Sequence, residues 1–253
     1  MKKIGIITGA SSGMGREFVR VAATKLSSLD ELWVIARRGD RLASIRRTFG
    51  SRIRPIELDL SDENKISSLA AMLENEQPDV RLLINSAGLG IIGKVEEVSS
   101  EETMNMVRVN VDALTYLCSV VIPYMRRGSH IINMASSAAF LPQPSFAVYA
   151  ASKSYVLSFS RALNSELKKK GIHVTAVCPG PVKTEFFDIA EKHRTIAFYK
   201  KLVMASPSKV VNLAFRDAAK NKEISVYSLT MKLSLFITKI LPHSLLIRIM
   251  GIF

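Results

Sequence analysis

Tyr149 and Lys153 stand four residues apart in "VYAASKSYVL" (148–157), a run that reads as a helix. At that spacing two side chains share one helical face, one turn above the other. A phenol with a reference pKa near 10 exchanges protons poorly at neutral pH, and an ammonium beside it favours the phenolate. The pair can therefore manage a proton in general acid–base chemistry. It can equally be a surface pair of no consequence, and the spacing alone leaves both readings open.

A second chemistry-bearing stretch is "TGASSGMGRE" (8–17), where Gly9, Gly13 and Gly15 follow the order G-x-x-x-G-x-G. It comes directly after a β-branched run and opens a helical one. Glycines there permit a tight turn and let the backbone approach a pyrophosphate, which free N–H groups at the helix start would hold. Ser11, Ser12 and Met14 complete the same loop. The type of dinucleotide is read one strand further on. A unit that takes NAD(H) places an acid about 20 residues on, against the ribose 2′-hydroxyl. Here the second strand ends "IARRGDRL", with Arg37 and Arg38 at that point. Two guanidiniums suit a 2′-phosphate, so NADP(H) is expected over NAD(H).

These residues need elements to hold them. Short runs, apolar on both faces, recur at 3–8, 32–36, 53–58, 81–85, 130–135, 173–177 and 223–227, as parallel strands covered by helices should. Helical patterns lie between them at 13–27, 62–75, 101–126, 146–170 and 207–220. The alternation predicts an α/β protein: a Rossmann-like, doubly wound parallel β-sheet with helices on both faces, in a single domain over 1–253. Residues 185–206 interrupt the alternation after a strand. Ligands bind at the carboxyl ends of such strands, so this segment is a candidate substrate lid.

Together these stretches resemble the short-chain dehydrogenase/reductase family. The likeness runs from Lys3 to about Thr184 and more loosely to Tyr227. Beside the glycine turn it rests on "LDLSD" (58–62), "NSAG" (85–88), Asn110 in "VRVNVDAL", "NMASS" (133–137), "YAASK" (149–153) and "CPGPVKT" (178–184). The resemblance implies that Asp59 and Leu60 border an adenine, and that Asn85, Ala87 and Gly88 shape the cofactor cleft. It implies that Pro179, Gly180, Val182 and Thr184 approach a nicotinamide carboxamide. Asn110, Ser136, Tyr149 and Lys153 match the family's catalytic tetrad. In that scheme Tyr149 is the acid or base, Lys153 tunes it and anchors a ribose, and Ser136 binds the substrate oxygen. The backbone carbonyl of Asn110 holds a relay water. Ser86 departs from the family's usual second asparagine at that place.

The implied activity is an NADP(H)-dependent interconversion of a carbonyl and an alcohol. Its alternatives are an NAD(H)-dependent enzyme of the same family and a nucleotide-sensing or scaffold protein that has lost turnover. The family favours homodimers and homotetramers, and its substrates are small-molecule carbonyls and alcohols.

The chain has 253 residues, 48% hydrophobic, enough for one sizeable core. Its 35 Lys and Arg against 22 Asp and Glu leave a net charge of +13, which suits nucleic acid, an anionic membrane surface or a phosphorylated small molecule. The basic residues are dispersed, with no helix-turn-helix, zinc-finger or RNA-binding signature, so no nucleic-acid partner is expected. Cys118 and Cys178 form no C-x-x-C or Cys/His pattern, so neither a disulfide nor a metal is expected and a reduced compartment fits. The opening apolar run is too short for a signal peptide, which makes the expected location cytoplasmic. His130, His173, His193 and His243 form no H-x-x-x-H pattern and read as structural or exposed, as does Tyr155. The tail "LTMKLSLFITKILPHSLLIRIMGIF" (229–253) is apolar and basic, and Pro242 interrupts it before either half is long enough to span a bilayer. It suits a cover on the core or a subunit interface, the lining of a cleft for a substrate with a long apolar part, or peripheral membrane contact.

Overall fold

The computed structural model describes residues 1–193 and 204–251. Seven strands form one all-parallel sheet: β1 (Lys3–Thr8), β2 (Glu31–Ala36), β3 (Ile53–Glu57), β4 (Asp79–Asn85), β5 (Met125–Met134), β6 (His173–Cys178) and β7 (Ile224–Val226). Their spatial order is β3-β2-β1-β4-β5-β6-β7. The strand order reverses between β1 and β4, and ligands bind at such switch points outside the carboxyl ends of the strands.

Two apolar layers hold the sheet between its helices. One cluster joins Ile4, Ile6, Trp33, Leu83, Ile131 and Val174 to Leu69, Leu117 and Val156. The other joins Ile7, Val34 and Ile84 to Phe18, Val21, Val211 and Ala214. Successive residues of one strand thus feed opposite layers, as the period of two requires.

Among the described residues the helices are α1 (Gly13–Lys25), α2 (Gly39–Phe49), α3 (Glu63–Glu76), α4 (Ser100–Val107), α5 (Ala113–Val121), α6 (Ala147–Leu167), α7 (Phe186–Ala190), α8 (Pro207–Ala219), α9 (Leu229–Ile240) and α10 (His243–Gly251). Several differ from the sequence expectation, among them the short α7 inside the 185–206 segment. Helix α2 was not anticipated, because "GDRLASIRRTF" is polar overall and buries only Leu42 and Ile45. The helix expected over 101–126 is two helices around a π-turn at Arg108–Asp112, and it ends in a 3₁₀ turn, Ile122–Tyr124. Pro123 lacks an N–H and ends the helical run, so Met125 and Arg126 begin β5 instead. The tail is helical on both sides of Pro242. The segment Ser100–Tyr124 is long and apolar enough to cross a membrane by length and composition, yet it gives Leu114, Leu117, Cys118 and Val121 to the core.

Candidate active site

The turn after β1 is built by its glycines. Gly9 has φ +66°, and a Cβ on Gly15 would lie 2.1 Å from the Gly9 carbonyl oxygen, so neither position accepts a side chain. The Thr8 hydroxyl accepts the N–H groups of Ser86 and Ala87 at 3.0 and 3.1 Å, fastening the turn to the end of β4. Ser12 caps α1 without a side-chain hydrogen bond, and the first turn of α1 has no acid. The loop of Ser11, Ser12, Gly13 and Met14 therefore presents N–H groups and the positive end of a helix dipole, the electrostatics that a pyrophosphate needs. Thr184 stands over it, 3.2 Å from where a Gly13 Cβ would be.

At the end of β2 the Arg38 guanidinium donates to Ser11 Oγ at 3.1 and 3.2 Å and to the Glu185 carboxylate at 3.0 Å. Arg41, on α2, donates to both oxygens of Glu185 at 2.7 and 2.9 Å. These bonds hold the Glu185 carboxyl below the usual carboxylate range, Arg41 contributing first and Arg38 second. Arg37 stands 4.0 Å from Asp59. Desolvation raises the Asp59 carboxyl, and the larger combined effect of Ser61, Arg37 and Lys65 lowers it below its ordinary value. Leu60 lies beneath, in the core. The glycine cradle and the helix start fit the pyrophosphate of a dinucleotide, with the arginines at the adjoining end of β2.

The Tyr149–Lys153 pair lies on α6 with both side chains buried, 8% and 4% exposed. Lys153 Nζ donates to the Met134 carbonyl at 2.8 Å and sits 5.7 Å from the Tyr149 ring centre. Burial pushes the Tyr149 phenol up to about 12, against a hydrogen bond from Ser136 that lowers it. Burial pushes the Lys153 ammonium down to about 8. Ser136 follows β5, and its Oγ accepts the Ala138 N–H at 3.1 Å. Asn110 sits in the π-turn, where its side chain accepts the Leu89 N–H at 2.8 Å and donates to the Leu89 carbonyl at 2.7 Å and Ser152 Oγ at 3.0 Å. That clamp ties the 86–90 loop to α6. A Cβ on Gly88 would lie 3.3 Å from Lys153 Nζ and 3.4 Å from Asn110 Oδ1, so these elements meet at one point.

Four further residues shape the site and were missed in the sequence: Gly90, Phe146, Phe186 and Arg41. The Tyr149 ring stacks on Phe146 at 4.3 Å and meets Phe186 at 5.5 Å. A Cβ on Gly90 would come within 2.6 Å of Phe186 and 2.8 Å of Tyr149. Phe186 follows Glu185 in the segment expected to act as a lid, and Lys192 and His193 pin the same stretch to Glu102 on α4 at 2.5 and 3.1 Å. Residues 194–203 of that segment lie outside the described residues.

Asn85 is turned away from this cluster. Its Nδ2 donates to Asn133 Oδ1 at 2.9 Å, and Asn133 in turn donates to Ser160, a buried polar chain from β4 to α6. Ala87 packs against the core. Val182 bridges to Ala205, and Gly180, next to Pro179, packs on Met231 of α9. His130 and His173 stack on each other at 5.7 Å, and His243 faces the Thr238 carbonyl. Tyr155 is on the outer side of α6, its hydroxyl 2.9 Å from Thr115 Oγ1. Among the described residues, no three His, Cys, Asp or Glu side chains gather as metal ligands.

A family model described as short chain dehydrogenase matches residues 3–195. The chain is 30% identical over 235 residues to sulfoacetaldehyde reductase 2 of Chromohalobacter salexigens, covering 89% of this chain and 92% of that protein. Among solved structures it is 26% identical to a short-chain dehydrogenase from Sphingobium yanoikuyae in complex with NADPH (TM-score 0.77, 90% of this chain and 89% of that one). It is also 26% identical to a short chain dehydrogenase/reductase from Burkholderia phymatum in complex with NAD (TM-score 0.79, 93% and 92%).

Proposed function

The chain belongs to the short-chain dehydrogenase family, and from that premise we propose that it interconverts a carbonyl and an alcohol with NADP(H), using Tyr149 as the proton donor and acceptor. The observation that carries the reading is the convergence of Tyr149, Lys153, Ser136 and Asn110 at the carboxyl ends of β4 and β5, beside the glycine turn. The nicotinamide, when bound, supplies and accepts the hydride.

The chain's own residues manage the oxygen and its proton. Ser136 hydrogen-bonds the substrate oxygen and orients it toward Tyr149. Tyr149 delivers its phenolic proton to the alkoxide in reduction and takes it back in oxidation. A phenol held at about 12 by burial is a weak base at neutral pH, so the reaction relies on positive charge to lower it. The Lys153 ammonium supplies that charge from the same helical face. Asn110 keeps the 86–90 loop against α6, leaving its backbone carbonyl for a relay water. Phe146 and Phe186 exclude bulk water from the Tyr149 ring, which strengthens each electrostatic contact.

The 2′-phosphate preference rests on Arg37, Arg38 and Arg41 around the end of β2 and the absence of an acid at the β2 terminus. The substrate is a small carbonyl or alcohol admitted under the 185–206 segment, which serves as a lid.

The test is NADPH oxidation across short- and long-chain 3-oxoacyl, steroid and aldehyde substrates, in wild type and Tyr149→Phe. The variant should lose turnover by roughly 10²–10⁴-fold while NADPH fluorescence titrations stay unchanged. Unchanged turnover in Tyr149→Phe overturns the mechanism.

A further inference from the structure

The face made by α8, β7 and α9 carries two features that the oxidoreductase site does not use. The first is an apolar ridge. Helix α9 packs Met231 and Leu235 inward on the core, and turns Leu229, Leu233, Phe236 and Ile240 outward, 81%, 55%, 61% and 62% exposed. At 3.6 residues per turn these four fall within an arc of about 60°. Leu241 and Leu245 continue the exposed apolar surface toward α10. A run of large side chains so exposed is not a core face.

The second feature is a basic groove. A cavity of about 370 Å³ lies between α8, β7 and α9, lined by Arg216, Lys220, Lys222 and Lys232 among others. Its single acid, Asp217, is already engaged, by Lys222 Nζ at 2.7 Å and Ser225 Oγ at 2.8 Å. Arg216, Lys220 and Lys232 are exposed and make no ion pair among the described residues. Lys232 belongs to both features, and with Lys239 it flanks the ridge on one side. From Ile224 to the C-terminus the sequence contains no acid.

We propose that this face docks on an anionic lipid bilayer, with the Leu229–Ile240 ridge in the headgroup and acyl boundary and lipid phosphates at Arg216, Lys220 and Lys232. Charge decides the occupant. An apolar strip with cations on its flank complements a surface that offers hydrocarbon beside negative headgroups. A second copy seated on the same patch by two-fold symmetry would set lysines against lysines on a chain of net charge +13. Docking would also hold the candidate site at the bilayer, because Met231 abuts Gly180 beside the 181–184 loop: a Gly180 Cβ would lie 2.9 Å from Met231 Sδ.

The experiment is co-sedimentation of the full chain with vesicles of phosphatidylcholine, alone or with about one-third phosphatidylglycerol. Binding should be at least about tenfold stronger to the anionic vesicles and should fall in high salt. Leu233→Ser with Phe236→Ser should reduce it by more than about tenfold. Lys220→Gln with Lys232→Gln should reduce it by roughly 30-fold. Melting temperature and dinucleotide binding should be retained in both pairs. Three results overturn the proposal. One is equal or no binding to the two vesicle types. Another is an oligomer, disrupted by the serine pair, in a chain that ignores vesicles. The last is stabilisation by inorganic phosphate alone, lost in the glutamine pair and without vesicle binding.

Discussion

The Glu185 carboxylate accepts a 3.0 Å hydrogen bond from Arg38, across 147 residues of sequence, and so ties the start of the 185–206 segment to the end of β2. Arg41 holds the same carboxylate from α2. Of the two guanidiniums expected to meet a 2′-phosphate, Arg38 is thus already engaged, with Arg41, by an acid from the neighbouring segment, whereas Arg37 faces Asp59. A 2′-phosphate bound there would compete with Glu185 for Arg38 and Arg41.

That competition sets the first expectation. Arg38→Ala should weaken NADPH binding by roughly 10- to 100-fold, the value of hydrogen bonds to a charged group, and leave NADH within a few-fold. Glu185→Gln should tighten NADPH a few-fold with no change for NADH, and the gain should shrink in high salt because these side chains are partly exposed. Fluorescence titration with both reduced cofactors reads each variant. Equal losses for NADPH and NADH in Arg38→Ala would exclude a 2′-phosphate role.

Gly90 sets the second. A methyl group there meets Phe186 Cζ at 2.6 Å, Tyr149 Cδ2 at 2.8 Å and Phe146 Cζ at 3.1 Å. Gly90→Ala should displace the Tyr149 ring, lowering kcat by roughly 10- to 100-fold with dinucleotide affinity intact. Overpacking should also cost about 1–3 kcal/mol in urea unfolding. Gly90→Ala with Phe186→Ala opens room on one side and should recover part of the rate. Full activity in the single variant would show that the Tyr149 position is not critical.

Lys153 sets the third, through pH. Burial lowers its ammonium from 10.5 to about 8, so between those values the unfolded chain binds more protons than the folded one. Its contribution to stability is fully present above the unfolded value and is lost as pH falls through about 8. Tyr149 acts in the opposite sense at higher pH. Raised from 10.0 to about 12, its contribution holds below pH 10 and is lost as pH rises through 12. Cys118 and Cys178, pushed up from 9.0 to about 12 by burial, act against Lys153 from about pH 9, and comparison with Lys153→Met cancels their contribution. Wild-type stability should rise from about pH 8 to 10 by about 1 kcal/mol per pH unit relative to Lys153→Met, measured by urea unfolding. Parallel curves for the two proteins would mean that the ammonium is not desolvated.

The strand-by-strand fold was legible because most strands are short, apolar on both faces and bounded by turn residues, a pattern that does not depend on the partners. Strand β5 starts five residues before its expected apolar run because its first half, MRRGS, is largely polar. The glycine turn was legible for a similar reason: backbone conformation and close approach at Gly9 and Gly15 admit only glycine, so the constraint is written in the residues themselves. Tyr149 and Lys153 were visible as a pair because four residues is one helical turn.

What pairs with what across long separations was decided only in the folded molecule. Glu185 meets Arg38 and Arg41, Phe186 covers Tyr149, and Asn110 clamps Leu89, all through contacts whose sequence separations carry no period. The break in the 101–126 helix follows the same logic, since the π-turn that seats Asn110 leaves no signature in residue type. Helix α9 shows the division within one element: its apolar spacing is in the sequence, but packing of Met231 and Leu235 on the core determined which apolar side chains remained exposed. Local geometry determined the elements and the proton-bearing pair; burial and long-range contact determined their environment.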